Sequence, residues 1–215
     1  LFRSKSFLPI YDFALNSYIL YINYFGLCKH NCKILAEKYP NLIIDNTQSF
    51  YSKPKGLASF NSLRKFFNVQ NGAYLYINKK FNYNFTVDDL NTKPVLIHEN
   101  YDKFVQNELL LNKEIIKYIS PQVEKQMKDI DFEKDKHIRV ELFKQYSKIL
   151  NDYNEIKLIL NKQIPYCYPF KSSNKEILNK LAQFTLLELW KNDNIISLPL
   201  NDKKYAQKII KKITQ

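Results

Sequence analysis

The segment 17–45 constrains the fold more than any other part of the chain. Its first part, residues 17–25, is apolar and aromatic almost throughout, which is typical of a strand buried on both faces. Across residues 30–39 the apolar side chains have helical spacing, and Pro40 ends that helix. A second apolar run, residues 42–45, follows at once. This order predicts a βαβ unit whose two strands are parallel and joined by a right-handed crossover.

After this unit the sequence predicts two further strands and then a change of pattern. The strands are expected at residues 57–60 and 73–77, with Asn71-Gly72 as the turn signal before the second. Helical periodicity with heavy charge then runs through residues 102–119 and 131–152. The strand–helix alternation therefore gives way to long amphipathic helices.

The last part of the chain predicts a small α+β lobe. Its expected elements are a strand within 164–170, a helix through 174–184, a short strand within 194–200 and a final helix from Asp202. Because the pattern changes at Ser120-Pro121, we place a domain boundary there, with domains at 1–119 and 120–215. The fold class is α/β, with a mostly parallel sheet and flanking helices in the first domain.

The charge and the cysteine content indicate the cellular compartment but do not identify a binding partner. The 215 residues carry a formal net charge of +12, which attracts polyanions, although lysine is spread along the whole chain and much of the excess reflects general composition. The three cysteines form no disulfide framework, which favours the reducing cytoplasm. No apolar run is long enough for a membrane span, so we expect no membrane association.

Several common chemistries find no support in the sequence. The cluster Cys28, His30 and Cys32 supplies three ligands where a structural zinc site needs four, so no metal site is predicted. No P-loop, GxGxxG or GxSxG pattern occurs. Aromatic and lysine side chains interleave around residues 65–85, but half of these aromatics lie in apolar strand patterns, so burial is favoured over nucleic-acid binding.

The segment 45–65 carries the candidate chemistry, since it combines an acid at a strand end, a nearby amide and a lysine on the next loop. The runs YINYFG, NLIIDNTQSFYSKP, SFNSLRKFF and NGAYLY resemble the DegT/DnrJ/StrS family of sugar-nucleotide aminotransferases. Later landmarks agree in order: IDFEKDKHIR at 130–139, PYCYP at 165–169, Trp190 and SLPL at 197–200. The resemblance spans nearly the whole chain and implies a pyridoxal-phosphate enzyme of fold type I.

The resemblance assigns roles to three residues of this segment. Asp45 resembles the family's aspartate that pairs with the pyridine nitrogen of pyridoxal 5'-phosphate; the alternative is a cap on the following turn. Gln48 resembles the glutamine that contacts the cofactor's ring and phenolic oxygen; the alternative is an exposed loop amide. Lys65 resembles the Schiff-base lysine, which also shuttles a proton, and the alternative is a surface lysine.

The chain departs from the family's pattern at the phosphate of the cofactor. The family has a serine five positions before the lysine, where this chain has Phe60. Ser59 and Ser62 flank that position, and either could bind the phosphate after a one-residue shift. Nothing before Ser17 resembles the family's N-terminal portion with its phosphate-binding loop, so we expect an incomplete large domain with an uncovered sheet edge and face.

The resemblance implies transfer of an amino group from an amino acid to a nucleotide-linked keto-sugar in polysaccharide or deoxysugar biosynthesis. It also implies a homodimer whose active sites are completed by the partner subunit. The alternative is a non-catalytic remnant or fragment of such an enzyme that binds no cofactor. Fold resemblance alone does not decide between the two.

Overall fold

The computed structural model describes residues 7–9, 12–80, 82–89, 101–111, 115–190 and 193–215. Within these residues no helix combines the length and the apolar character that crossing a membrane requires. The elements form two sheets with helices packed around them.

The first sheet contains four strands in the order β1-β2-β3-β4. Strand β1 spans Ile19–Ile22, β2 spans Leu42–Asn46, β3 spans Ala58–Asn61 and β4 spans Leu75–Ile77. The first three strands are parallel, whereas β4 runs antiparallel to β3. Helix α1, Lys29–Lys38, connects β1 to β2. The predicted strand–helix–strand unit with parallel strands is confirmed.

Strand β1 is shorter than the apolar run that predicted it. It ends at Ile22, and Tyr24–Gly26 form a single 3-10 turn in which Phe25 has a φ of 57°. Gly26 also has a positive φ, and a Cβ atom there would lie 2.9 Å from the Gln48 carbonyl oxygen. The turn is thus packed closely against the loop that follows β2, and its aromatic residues are buried in the core rather than in the sheet.

The two faces of this sheet differ in burial. One face, here the covered face, carries Tyr21, Leu42, Ile44, Asn46 and Ser59, which are all buried; Cys32 and Leu35 of α1 belong to the same apolar cluster as Leu42 and Ile44. Because side chains alternate along a strand, the intervening residues point the other way. This second face, the open face, carries Leu20, Ile22, Ile43, Asp45 and Phe60, which are exposed or half-buried, and Ala58, which is buried.

The second sheet has the order β5-β7-β6 with antiparallel neighbours. The strands are β5 (Cys167–Phe170), β6 (Glu188–Trp190) and β7 (Ile195–Pro199). Helices α4 (Phe132–Leu150), α5 (Lys175–Leu181) and α6 (Lys203–Thr214) share one hydrophobic core with this sheet. Strands β5 and β7 and helices α5 and α6 lie where the sequence predicted them, and β6 is an additional strand that the sequence did not predict.

The helix predicted over 102–119 is wrong in its second half. Helix α2 spans Tyr101–Leu111; residues 112–114 lie outside the described residues, and residues 115–120 are not helical. Tyr118 instead forms an isolated bridge with Val87. A new helix, α3, spans Pro121–Lys128, because the Ser120 hydroxyl caps it by accepting from the Val123 amide at 3.2 Å.

Helix α3 bears on the predicted domain division. Its buried residues Val123 and Met127 pack against Leu63, Phe66 and Phe67, which follow β3. Helix α3 lies after residue 120 in sequence, yet it shares a core with residues before it. The division at 119/120 stays a prediction.

Candidate functional site

Asp45 lies next to the carboxyl end of β2 on the open face of the sheet. Its Oδ1 atom accepts a hydrogen bond from the Thr47 amide at 2.7 Å, so the carboxylate caps the turn that follows the strand. Its other oxygen has no hydrogen-bond partner among the residues that the structure describes. The carboxyl ends of parallel strands are where ligands gather in open α/β sheets. Asp45 is therefore placed to bind a ligand as well as to cap the turn.

Lys65 lies on the turn that follows β3, the neighbour of β2. Its Nζ atom donates to the Thr47 hydroxyl at 3.5 Å, and the side chain is half-buried. Thr47 is the residue whose amide binds Asp45. The structure thus brings Lys65 and Asp45 to one threonine at the same edge of the sheet.

The turn that carries Lys65 is held by buried neighbours. Leu63, Phe66 and Phe67 on either side of it are all buried. Arg64, which precedes Lys65, is exposed. The flanking apolar anchors fix the main chain at the point where the lysine projects.

Arg139 of α4 adds a polar clamp that sequence reasoning missed. The side chain is 0% exposed, and its Nε atom donates to the Asp135 carboxylate at 2.8 Å. Its terminal nitrogens donate to the carbonyl oxygens of Tyr166 and Phe66, each at 3.1 Å. One guanidinium therefore joins α4, the segment entering β5 and the residue next to Lys65. The sequence feature that could have identified Arg139 is its spacing of four residues from Asp135 within IDFEKDKHIR, which predicts an ion pair along one helix.

Gln48 is buried rather than displayed on the loop surface. Its Oε1 atom accepts from the Phe25 amide at 2.8 Å, which ties the loop after β2 to the 3-10 turn after β1. This bond gives the side chain a structural role. The predicted contact between Gln48 and a cofactor ring stays a prediction.

The two candidate phosphate-binding serines lie in different places. Ser59 pairs in register with Ile44, so it lies on the covered face, opposite to Asp45. It is 1% exposed, and its hydroxyl has no hydrogen-bond partner in the described part of the chain. Ser62 is half-buried and lies between β3 and Lys65. The structure therefore brings Ser62, but not Ser59, to the segment that carries Lys65.

Tyr24 is a neighbour of Asp45 that sequence reasoning did not single out. Burial raises the pKa of its phenol to about 12, and the negative charge of Asp45 acts in the same direction. Its ring packs edge-on against Trp190 with centroids 5.8 Å apart. The phenol therefore stays neutral at physiological pH.

The cysteines around α1 show no sign of nucleophilic chemistry. Burial raises the pKa of the Cys28 thiol to about 11 and that of Cys32 to about 12, so both are protonated at neutral pH. Their sequence neighbour His30 is exposed. Among the described residues, no three His, Cys, Asp or Glu side chains come together in a way that could hold a metal ion.

Comparisons with known proteins support the fold and leave the activity open. No protein-family model matches the sequence, and no curated protein is similar to it in sequence. Among solved structures, the fold is similar to that of a DegT DnrJ EryC1 StrS aminotransferase from Brucella abortus, with a TM-score of 0.55 and 15% sequence identity. The alignment covers 91% of this chain and 63% of the Brucella protein. The chain thus has a mixed α/β fold similar to part of an aminotransferase of that type.

Proposed function

We propose that this chain forms the lysine-bearing part of a pyridoxal-phosphate-dependent aminotransferase acting on a nucleotide-linked keto-sugar. The observation that carries the proposal is the meeting of Lys65 and Asp45 at Thr47, at the carboxyl ends of neighbouring strands. The similarity of the fold to an aminotransferase of the DegT type supports it. The amino donor is an amino acid, and the protein forms a homodimer. The compartment is the cytoplasm, in keeping with the three free cysteines.

The open face fits the pyridine end of such a cofactor. When bound, pyridoxal phosphate supplies an electron sink for the carbanion formed at the substrate α-carbon. Asp45 would hold a proton on the pyridine nitrogen, because a carboxylate beside that nitrogen favours its charged form. The second carboxylate oxygen, which has no hydrogen-bond partner among the described residues, is the atom available for this contact.

Lys65 would bind the cofactor covalently and move the proton at the substrate α-carbon. The lysine must be neutral when it acts as a nucleophile or base. Its hydrogen bond to the Thr47 hydroxyl orients Nζ toward the edge of the sheet at which Asp45 lies. Burial of Phe66 and the Arg139 clamp limit the movement of its main chain.

The residues fit the phosphate end less well. The Ser59 hydroxyl, which has no hydrogen-bond partner among the described residues, lies on the face opposite to Asp45 and therefore does not reach a cofactor bound there. Ser62 precedes Lys65 in the same turn and is the serine we assign to the phosphate. A single hydroxyl binds phosphate weakly. The proposed function therefore requires further hydrogen-bond donors to the phosphate, in addition to Ser62.

Two contacts favour the alternative function, a remnant that binds no cofactor. Asp45 accepts from the Thr47 amide, and Gln48 accepts from the Phe25 amide. Both side chains therefore have structural partners without a cofactor. In this reading the chain keeps the scaffold of an aminotransferase and has lost its chemistry.

The test is covalent labelling of the full chain with pyridoxal phosphate. The protein is mixed with the cofactor, reduced with borohydride and digested, and mass spectrometry locates the modified lysines. We expect Lys65 to be labelled more strongly than the other lysines. Before reduction, the mixture should also show the absorption band of lysine-bound cofactor, and the Lys65→Ala variant should lack this band. The matched control is Lys208→Ala, which removes an exposed lysine of α6 and should leave the band unchanged.

Either of two outcomes would overturn the proposal. The band could persist in Lys65→Ala, or the label could be spread evenly over exposed lysines. Both would favour the remnant without a cofactor. Circular dichroism of each variant verifies that a lost band does not reflect a lost fold.

A further inference from the structure

A pocket lies at the end of the covered face, away from the Asp45 and Lys65 site. It has a volume of about 270 Å³ and lies between the start of α1, the loop after β2 and the loop before β5. Ile44 and Asn46 of the covered face line it, whereas Asp45, Gln48 and Lys65 do not. We call it the lysine pocket, because Lys29, Lys53, Lys55 and Lys162 are among its lining residues.

The lining of the lysine pocket combines apolar side chains, such as Ile44 and Ile164, with a polar floor that is fixed by hydrogen bonds. Asn23 and Asn46 are both buried, and the side-chain Nδ2 of Asn23 donates to Asn46 Oδ1 at 2.9 Å. The same Nδ2 atom donates to the Ser52 hydroxyl at 3.2 Å. The Ser52 hydroxyl in turn lies 2.6 Å from the Ser49 hydroxyl, within hydrogen-bond distance. These contacts hold the end of β1, the end of β2 and the following loop in one arrangement. The floor is thus pre-formed.

The rim is cationic and its segments are tied together. The four lysines are exposed, and none forms an ion pair within the part of the chain that the structure describes. The Lys29 amide donates to Gln163 Oε1 at 2.9 Å, which fixes the start of α1 to the loop of Lys162. The charge of Lys55 also reaches the Cys32 thiol and partly offsets the effect of burial on its pKa. Lysines from separate segments therefore line one cavity.

The charge of the pocket selects the chemistry of its ligand. Four lysines come from three separate segments, and no aspartate or glutamate is among the described residues that line the pocket. Because all four lysines line one cavity, a multivalent anion bound in it is attracted by several positive charges at once. Lysine binds phosphate as a point charge, and pockets for drug-sized ligands start at roughly 300 Å³, so this one suits a small anion.

We propose that the lysine pocket binds a small phosphate-bearing anion of the diphosphate class. The four lysines that line the pocket supply the positive charge, and the buried side chains of Asn23 and Asn46 supply a polar part of its lining. This site is separate from the proposed cofactor site, because alternation along β2 places Asn46 and Asp45 on opposite faces of the sheet. The inference goes beyond the proposed function and stands without it.

The test is calorimetric titration of the full chain, without pyridoxal phosphate, with inorganic pyrophosphate at about 0.15 M ionic strength. The pocket variant is Lys53→Gln with Lys55→Gln. The control variant is Lys204→Gln with Lys208→Gln, which removes the same charge from exposed lysines of α6. We expect saturable binding by the native chain, at least about tenfold weaker binding by the pocket variant, and a change below about twofold in the control.

Two results would overturn the proposal. Pyrophosphate could fail to saturate the native chain below about 10 mM, or both variants could lose affinity equally, which indicates general charge attraction. A parallel titration with uridine diphosphate separates the two sources of the same chemistry: tighter binding than pyrophosphate assigns the pocket to a nucleotide, and equal binding assigns it to a free diphosphate. Melting curves of both variants verify their folding.

Discussion

The covered and open faces of the first sheet are built from the same strands but have different environments. Leu42 on the covered face is 0% exposed, whereas Leu20 on the open face is 60% exposed. The covered face is filled by α1 and provides the core of this part of the molecule. The open face carries Asp45, with half-buried apolar neighbours around it. Stability is therefore expected to depend on one face, and the chemistry proposed for Lys65 and Asp45 on the other.

The largest effect that separates the faces is expected from truncation of matched leucines. Leu42→Ala should lower the free energy of unfolding by about 2–5 kcal/mol, because it leaves a cavity in a closed core. Leu20→Ala should change it by less than about 1 kcal/mol, since most of that side chain already contacts solvent. Urea denaturation of both variants measures the difference. Equal losses would show that the open face is covered in solution, for example by a second copy of the chain.

The second effect concerns pH and the thiols beneath the covered face. Burial holds the pKa of Cys28 at about 11 and that of Cys32 at about 12, above the value of about 8.5 for an unfolded cysteine. At a pH between the unfolded and the folded pKa, the two thiols lose their protons in the unfolded chain but keep them in the folded chain. The free energy of unfolding should therefore be constant below about pH 8 and fall as the pH rises toward 11.

Denaturation curves between pH 7 and pH 10.5 measure this loss. Buried tyrosines contribute in the same direction, so the thiol part is isolated with the double variant Cys28→Ala and Cys32→Ala. Its stability should fall less steeply with pH than that of the native chain. An unchanged slope would mean that the thiols are open to solvent, and that the covered face is less closed than its burial indicates.

The smallest effect comes from the unpartnered hydroxyl on the covered face. Ser59→Ala removes a buried polar atom that has no hydrogen-bond partner among the described residues, and it should stabilise the fold by about 1 kcal/mol. Ser62→Ala, in a half-buried turn position, should leave stability nearly unchanged. Thermal melting measures both. If Ser59→Ala is destabilising, the Ser59 hydroxyl has a partner, such as a buried water molecule, that supports the covered face.

Hydrophobic patterning was sufficient to predict the βαβ unit, because the two buried strands and the helix between them each have a distinct apolar period. It was not sufficient for β6, since residues 188–190 are too few to show alternation. The helix predicted over 102–119 was extended too far because amphipathic spacing continued past its end, while Ser120 and Pro121 marked the start of a separate helix. Local signals of capping were more reliable there than periodicity.

The candidate site was predictable in part. Asp45 and Lys65 were singled out through the resemblance of the surrounding sequence to a known family, and the structure places both next to Thr47. The face on which Ser59 lies depends on strand register, which the sequence did not specify. Arg139 was hidden among 33 basic residues, and the lysine pocket joins positions from 29 to 162 that only the tertiary fold brings together.

The Arg139 clamp has a mechanical consequence. Its guanidinium binds the main chain beside Lys65 and the main chain entering β5, while its own helix packs on the second sheet. A rotation of α4 relative to the first sheet must therefore break these bonds or carry the Lys65 turn with it. Through these bonds the position of the Lys65 main chain depends on the position of α4, so a substitution that shifts α4 is expected to shift the lysine as well.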